Sequence, residues 1–361
     1  MKKKLLFTAY SMGLGGIETA LLNLLKRLDY SLYDVTLILE KKEGIFLDML
    51  PKEVKVLEYK ISDCKLVLFR KVFNRIKLLK WQKRLKNKFD FSCSFATYSR
   101  PGAYLALSGS NNSHLWVHLN YYVTYHYDEE AMKKFFDGLK TKNFKRIVFV
   151  SEENKRDVCA HYEGILNKSC VCNNFINGEE ILKKAQDKCD YQRDKKVLFI
   201  NVGRHDEHQK RLSRVIEASK KLVDEGYEFK ILFVGDGSDM DMYKKMVKEA
   251  NLADVIVFLG KKKNPFPYYK IADAVILSSE YEGYPVVFLE SMIMEKPILS
   301  TKVSDWEELD GKAGMFCDLN TESVYGMMKN YLDNGFKLKE KFDYNKYNEN
   351  IKNKILNMIN K

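Results

Sequence analysis

The sequence predicts an α/β protein of two domains, each a parallel sheet flanked by helices. Three observations carry this reading. At 361 residues the chain is long for one core and comfortable for two, and 45% of it is hydrophobic. Short apolar runs alternate with stretches of helical period through both halves, as strands joined by crossover helices require. Each half also opens alike: residues 4–10 run as a strand into a glycine loop at 11–16, and residues 196–202 into a loop at 203–211. Loops that follow parallel strands lie at the ligand-binding edge of such a sheet.

The elements of the first half follow in order. Residues 20–28 after the glycine loop have helical spacing. Gly13, Gly15 and Gly16 miss the dinucleotide fingerprint, which argues against a nicotinamide cofactor; they either permit a tight turn or let the loop approach a ligand. Strands are expected at 34–39, 54–59, 91–95, 113–119 and 146–151, the last leading into a capped helix. Residues 65–88 hold 10 basic residues among 24 and no acidic one. There Leu68, Val72, Ile76 and Leu79 fall near one face with Phe69, Phe73 and Trp81 beside them. This basic amphipathic helix either packs on the sheet with a solvated basic face or meets an anionic membrane, and both can hold together.

Charge and cysteine usage bound the class. The net charge of +12 comes entirely from residues 1–172, where 30 Lys and Arg face 18 Asp and Glu, so an anionic partner would meet the N-terminal half. The basic run lacks the glycine and aromatic interleaving of RNA modules, which disfavours a nucleic-acid-binding protein, the alternative from another class. Seven cysteines, at 64, 93, 159, 170, 172, 189 and 317, form no C-x-x-C pair and read as reduced packing thiols. The start carries no cleavage-like site and reads as the first strand of a cytoplasmic protein.

The second half continues with a helix at 212–225 and strands at 229–234, 255–260, 272–277 and 296–300. Asp239 and Asp241 form an Asp-x-Asp pair, but at a helix start, where acidic residues favour the positive dipole end, so no metal is expected. The most informative stretch is 278–290. It reads as a tight turn carrying Glu282 and Gly283, then a helix with Pro285 near its first turn and Glu290 about two turns along. Free N–H groups of that first turn, around Tyr284, Val286 and Val287, suit a phosphate, and the flanking carboxylates could hold hydroxyl-rich groups on either side.

The pattern Glu282-Gly283-x-Pro285-x-x-x-x-Glu290 resembles the E-x7-E signature of retaining glycosyltransferases of family 4, including enzymes of capsular and surface polysaccharide synthesis. Other stretches agree. Gly15-Gly16-Ile17-Glu18 looks like the N-domain loop facing the donor diphosphate, and Trp116-Val117-His118 like the strand end that places a histidine over the donor sugar. Val150-Ser151 with Lys155 resembles another strand end of that family, and residues 172–177 its interdomain segment, with Asn173 where proline is usual. Arg204 with Lys210 or Arg211 resembles the pair that binds the diphosphate; Gly235 lies in a matching loop, and Gly260 where the base usually rests.

This resemblance implies the GT-B fold: two Rossmann-like domains facing across a cleft. Residues 1–173 would bind the acceptor and 174–343 the nucleotide sugar, with 344–361 a last helix returning to the first domain. The implied reaction moves a hexose from an NDP-sugar, more in keeping with uridine than guanosine, to a lipid-linked saccharide on the inner face of the cell membrane, with no metal. Arg204 and Lys210 would hold the diphosphate and stabilise its developing charge, Glu290 the ribose, and Glu282 and His118 the sugar. A GT-B epimerase or phosphorylase is the alternative enzyme.

Overall fold

The computed structural model describes residues 1–13, 15–62 and 65–360; Cys64, one of the cysteines read as packing thiols, lies outside the described residues. The chain divides into two compact units, Met1–Ile176 together with the segment from Asn348 onward, and Asn177–Tyr347.

Unit 1 is built on seven parallel strands: β1 (Lys3–Ala9), β2 (Tyr33–Leu39), β3 (Lys55–Glu58), β4 (Phe91–Ser94), β5 (Ser113–Val117), β6 (Arg146–Phe149) and β7 (Ser169–Val171). Their order is β3-β2-β1-β4-β5-β6-β7, so the chain winds outward from β1 in one direction and then from β4 in the other. That reversal is where parallel α/β sheets open a ligand crevice. Strands β4 and β5 are buried along their whole length because helices cover both faces. One core cluster joins Leu115, Val117, Ile147 and Phe149 to Met132 and Phe136 of the helix Glu129–Gly138.

Unit 2 has six parallel strands: β8 (Val197–Val202), β9 (Phe229–Val234), β10 (Ile256–Gly260), β11 (Ala274–Leu277), β12 (Ile298–Thr301) and β13 (Gly314–Cys317), in the order β10-β9-β8-β11-β12-β13. Phe199, Ile231, Phe233 and Ile276 form its core with Leu212, Val215 and Ile216 of the helix Leu212–Asp224. Each unit is a Rossmann-like layer of sheet and helices.

The helix Val67–Leu85 and the helix Tyr344–Asn360, which joins unit 1 from Asn348 onward, differ in how much apolar surface they bury. The helix Val67–Leu85 packs through Leu78, Trp81 and Leu85 onto Leu6, Ile38 and Tyr59. Its other apolar side chains stay largely exposed: Leu68 is 77% exposed, Phe69 57%, Val72 54%, Phe73 53% and Leu79 57%. The helix Tyr344–Asn360 buries Ile351, Ile355, Met358 and Ile359, a stripe of helical period. It is fastened at both ends. Asn348 exchanges two hydrogen bonds with the Ile176 backbone, at 3.1 and 2.8 Å, and the Lys3 ammonium donates to Asn360 Oδ1 at 2.8 Å. Among the described residues no helix is long and apolar enough to cross a membrane.

Candidate functional site

In unit 2 the loops after β8, β9 and β10 are stitched to one another. Gly203 N–H donates to the Val234 carbonyl at 3.1 Å, His205 N–H to that of Asp236 at 3.0 Å, and Gly235 N–H to that of Gly260 at 3.0 Å. Gly235 sits at φ +155°, and a Cβ there would stand 1.8 Å from the Gly203 oxygen, so the approach admits glycine alone. His205 fills the space beneath, fully buried against Phe233, Tyr243 and Phe258 with neither ring nitrogen bonded. Burial pushes its pKa down to about 4, so the ring is neutral.

The loop between β8 and the helix Leu212–Asp224 then turns about Asp206. Its carboxylate accepts from Gln209 N–H at 3.0 Å, and its carbonyl from Lys210 N–H at 2.7 Å. The turn sends neighbouring side chains apart. Lys210 Nζ lies 2.5 Å from Glu282 Oε1, while Arg211, at φ 50°, directs its guanidinium to Glu207 at 3.4 Å and Glu280 at 3.5 Å. Of the two candidate cations, Lys210 is the one that pairs with Glu282, while Arg211 pairs with Glu280 of the same turn.

Glu282 is buried and held by three donors: Lys210, Ser279 Oγ at 2.7 Å and Gln209 Nε2 at 3.4 Å. Gln209 in turn accepts from Arg204 at 3.0 Å, so Arg204, Gln209, Glu282 and Lys210 form one chain of contacts. The turn itself is pinned from β12 and beyond, by Thr301 Oγ1 on the Ser279 carbonyl at 2.6 Å and Ser304 Oγ on the Gly283 carbonyl at 2.9 Å. Arg204 keeps 64% of its side chain exposed and is the accessible cation of the group.

After the turn, Pro285 is the N-cap of the helix Val286–Ile293 and its side chain makes no capping bond. The N–H groups of Val286 and Val287 stand at the first two helical positions, where no intrahelical acceptor exists. Glu290, further along, is half-buried; the Tyr269 hydroxyl donates to its Oε2 at 2.7 Å, and burial raises its pKa above the usual carboxylate range. An exposed guanidinium, free helix N–H groups and two positioned carboxylates together suit an anion carrying hydroxyl-bearing groups.

The remaining expected residues fall elsewhere. Asp239 stands at the N-cap position of the helix Met240–Glu249 without a side-chain capping bond and accepts from Glu207 N–H at 2.8 Å, and Asp241 sits in that helix's first turn. Gly15, Gly16 and His118 belong to unit 1. Gly15 precedes the helix Gly16–Leu25, and a Cβ there would meet Glu18 Oε2 at 2.3 Å. His118, just past β5, is buried against Phe95 with Nε2 unbonded, and burial lowers its pKa to about 4. Its neutral ring therefore offers an acceptor nitrogen. Sequence reasoning missed Gln209, Ser279 and Tyr269, which hold the two carboxylates; Gln209, lying between the two expected cations, and Ser279, inside the 278–290 stretch, carried a local signal, and Tyr269 carried none.

Residues 183–349 match the family profile described as Glycosyl transferases group 1. An uncharacterized glycosyltransferase of Methanocaldococcus jannaschii is 27% identical over 203 residues, 53% of this chain and 49% of that protein. The N-acetylgalactosamine-N,N'-diacetylbacillosaminyl-diphospho-undecaprenol 4-alpha-N-acetylgalactosaminyltransferase of Campylobacter jejuni is 25% identical over 350 residues, 92% of this chain and 90% of that protein. The chain spans half or less of the length of the first curated relatives it matches, 49%, 39% and 46%. Among solved structures, Anabaena HepE in complex with UDP and glucose superposes with a TM-score of 0.74 at 16% identity, covering 98% of this chain and 99% of that one. This likeness shows the fold: two Rossmann-like domains of the GT-B class.

Proposed function

We propose that the chain is a glycosyltransferase of this group 1 family, moving a hexose with retention from a UDP-sugar to a lipid-linked saccharide in capsule or surface polysaccharide synthesis. The observation that carries the reading is the contact chain Arg204–Gln209–Glu282–Lys210 beside the uncapped start of the helix Val286–Ile293. A nucleoside diphosphate has the matching chemistry. Its phosphates would take the Arg204 guanidinium and the N–H groups of Val286 and Val287, its ribose hydroxyls Glu290, and the sugar hydroxyls Glu282. Lys210 and Arg204 would offset the charge that develops on the leaving diphosphate. By the sequence resemblance, His118 would accept from a sugar hydroxyl, and Gly15 and Gly16 would admit a diphosphate. These fixed cations make a metal unnecessary, so turnover is expected to persist in excess chelator.

The HepE and Campylobacter similarities support uridine and a lipid-linked acceptor, respectively, as the class of donor and acceptor. The exposed apolar and basic surface of the helix Val67–Leu85 supports adsorption to an anionic bilayer, where such an acceptor would lie. Incubation with a panel of nucleotide sugars, measuring nucleotide release and the product's anomeric configuration, tests the reading. Release from UDP-sugars with retained configuration is expected. No release with any nucleotide sugar, with or without membrane lipid, would overturn it.

A further inference from the structure

Unit 1 contains a largely apolar cavity with basic residues in its lining, far from its glycine loop in the fold. It lies at the amino ends of β5 and β6 and along the edge strand β7, under the C-terminal helix Tyr344–Asn360, and has a volume of about 220 Å³. The glycine loop and His118 follow the carboxyl ends of their strands, so this cavity occupies the opposite end of the sheet.

The lining has two parts. Lys145, Arg146 and Lys354 bring three positive charges to it, and none of the lining residues is acidic. The nearby Glu152 carboxylate, felt at Cys170, is bonded to Lys155 at 3.3 Å. Val171, Cys170 and Met358 supply an apolar wall. The polar floor is preformed: Asn112 Nδ2 donates to the Met358 carbonyl at 2.9 Å, and Asn112 Oδ1 faces His114 Nε2 at 2.9 Å. His114 adds no charge, because burial and the neighbouring cations push its pKa down to about 3. Lys145 and Arg146 stand at the start of β6 and Lys354 on a helix some two hundred residues later, so the fold gathers positive charge here from two distant segments.

We infer that this cavity binds a small phosphate ester, its phosphate among Lys145, Arg146 and Lys354 and its organic part against Val171 and Met358. The charge selects the phosphate, and the volume beyond a single ion with an apolar wall selects an ester. Because Lys354 and Asn357 come from the C-terminal helix, occupancy fastens that helix to the sheet. The inference does not rest on the transferase reading.

Equilibrium dialysis of the full chain against radiolabelled glucose 6-phosphate, at constant ionic strength and with excess UDP, tests it. One equivalent is expected to bind, to weaken by about tenfold or more in Arg146→Gln/Lys354→Gln, and to survive in Lys354→Arg and in Arg204→Gln. Circular dichroism of each variant confirms folding. Absence of binding above a chloride control, binding unchanged in the double variant, or binding lost in Arg204→Gln overturns the site. Vesicles of phosphatidic acid carry the same phosphomonoester chemistry. Competition by free glycerol 3-phosphate supports a soluble ester, and competition by the vesicles alone overturns that assignment.

Discussion

The pair Lys210–Glu282 permits a quantitative test. Its atoms are 2.5 Å apart and the side chains only 17% and 7% exposed, so solvent screens the interaction weakly. Removing one partner of such a buried pair costs roughly 3–5 kcal/mol, since the other charge stays buried. Glu282→Gln keeps the volume but leaves the Lys210 ammonium without its carboxylate, so it belongs at the upper end. Lys210→Met leaves Glu282 with Ser279 and Gln209 as donors, so it belongs at the lower end. The double variant should regain a coupling energy of about 2–3 kcal/mol relative to the sum of the singles. Denaturant unfolding of the four proteins measures this, and nucleotide release from a UDP-sugar measures turnover in parallel. Glu282→Gln is expected to lose about 2–4 kcal/mol of transition-state stabilisation, roughly 30-fold to 1,000-fold in rate. Strict additivity would show that the contact is not energetically coupled, and near wild-type turnover in Glu282→Gln would remove this residue from the site.

Three further outcomes are expected. Burial holds the Glu290 pKa above the usual range, so acidification protonates it sooner than a solvated carboxylate; UDP affinity, followed by calorimetry, should fall from above that range, and Glu290→Gln should flatten this limb, whereas superimposable pH profiles would refute the ribose role. His118 and His205 at about 4 and His114 at about 3 are all depressed from 6.5, so each contributes stability that is complete above pH 6.5 and lost as pH falls toward its folded value, at most roughly 3 kcal/mol for His118 and His205 and about 5 kcal/mol for His114; denaturation midpoints should drop between pH 7 and 5, and less so in His118→Gln. Sedimentation with anionic liposomes should decline as salt rises and be lost when Lys77, Lys80, Lys83 and Arg84 are changed to Gln, at roughly 1 kcal/mol per engaged cation, while Leu68→Ser/Phe69→Ser/Phe73→Ser should remove the salt-resistant part; equal sedimentation with neutral lipid would refute the membrane role.

Local patterns in the sequence told much of this structure, and long-range contacts the rest. The strands of both sheets were legible as apolar runs except β7 and β13. The first is three residues long, and both are edge strands with only partly buried side chains along most of their length. Glu282 and Glu290 were legible because their turn and helix are contiguous. Their partners were not: Gln209 reaches Glu282 across 73 positions, and Tyr269 reaches Glu290 across 21. The choice between Lys210 and Arg211 hung on a backbone conformation, the left-handed φ of Arg211, which periodicity does not report. The basic helix was readable as amphipathic, yet composition could not say that Leu78, Trp81 and Leu85 pack while Leu68 and Phe69 stay in solvent.

Because the helix Tyr344–Asn360 supplies part of unit 1, the order of synthesis matters. Asn177–Tyr347 is continuous and can fold as soon as it clears the ribosome. The first unit, although translated earlier, must wait for Ile351, Ile355, Met358 and Ile359 to cover its sheet, closing a loop in which Lys3 meets Asn360 across 357 positions. Until that helix is made, the sheet surface it covers stays bare, and this one helix decides when the first unit is complete.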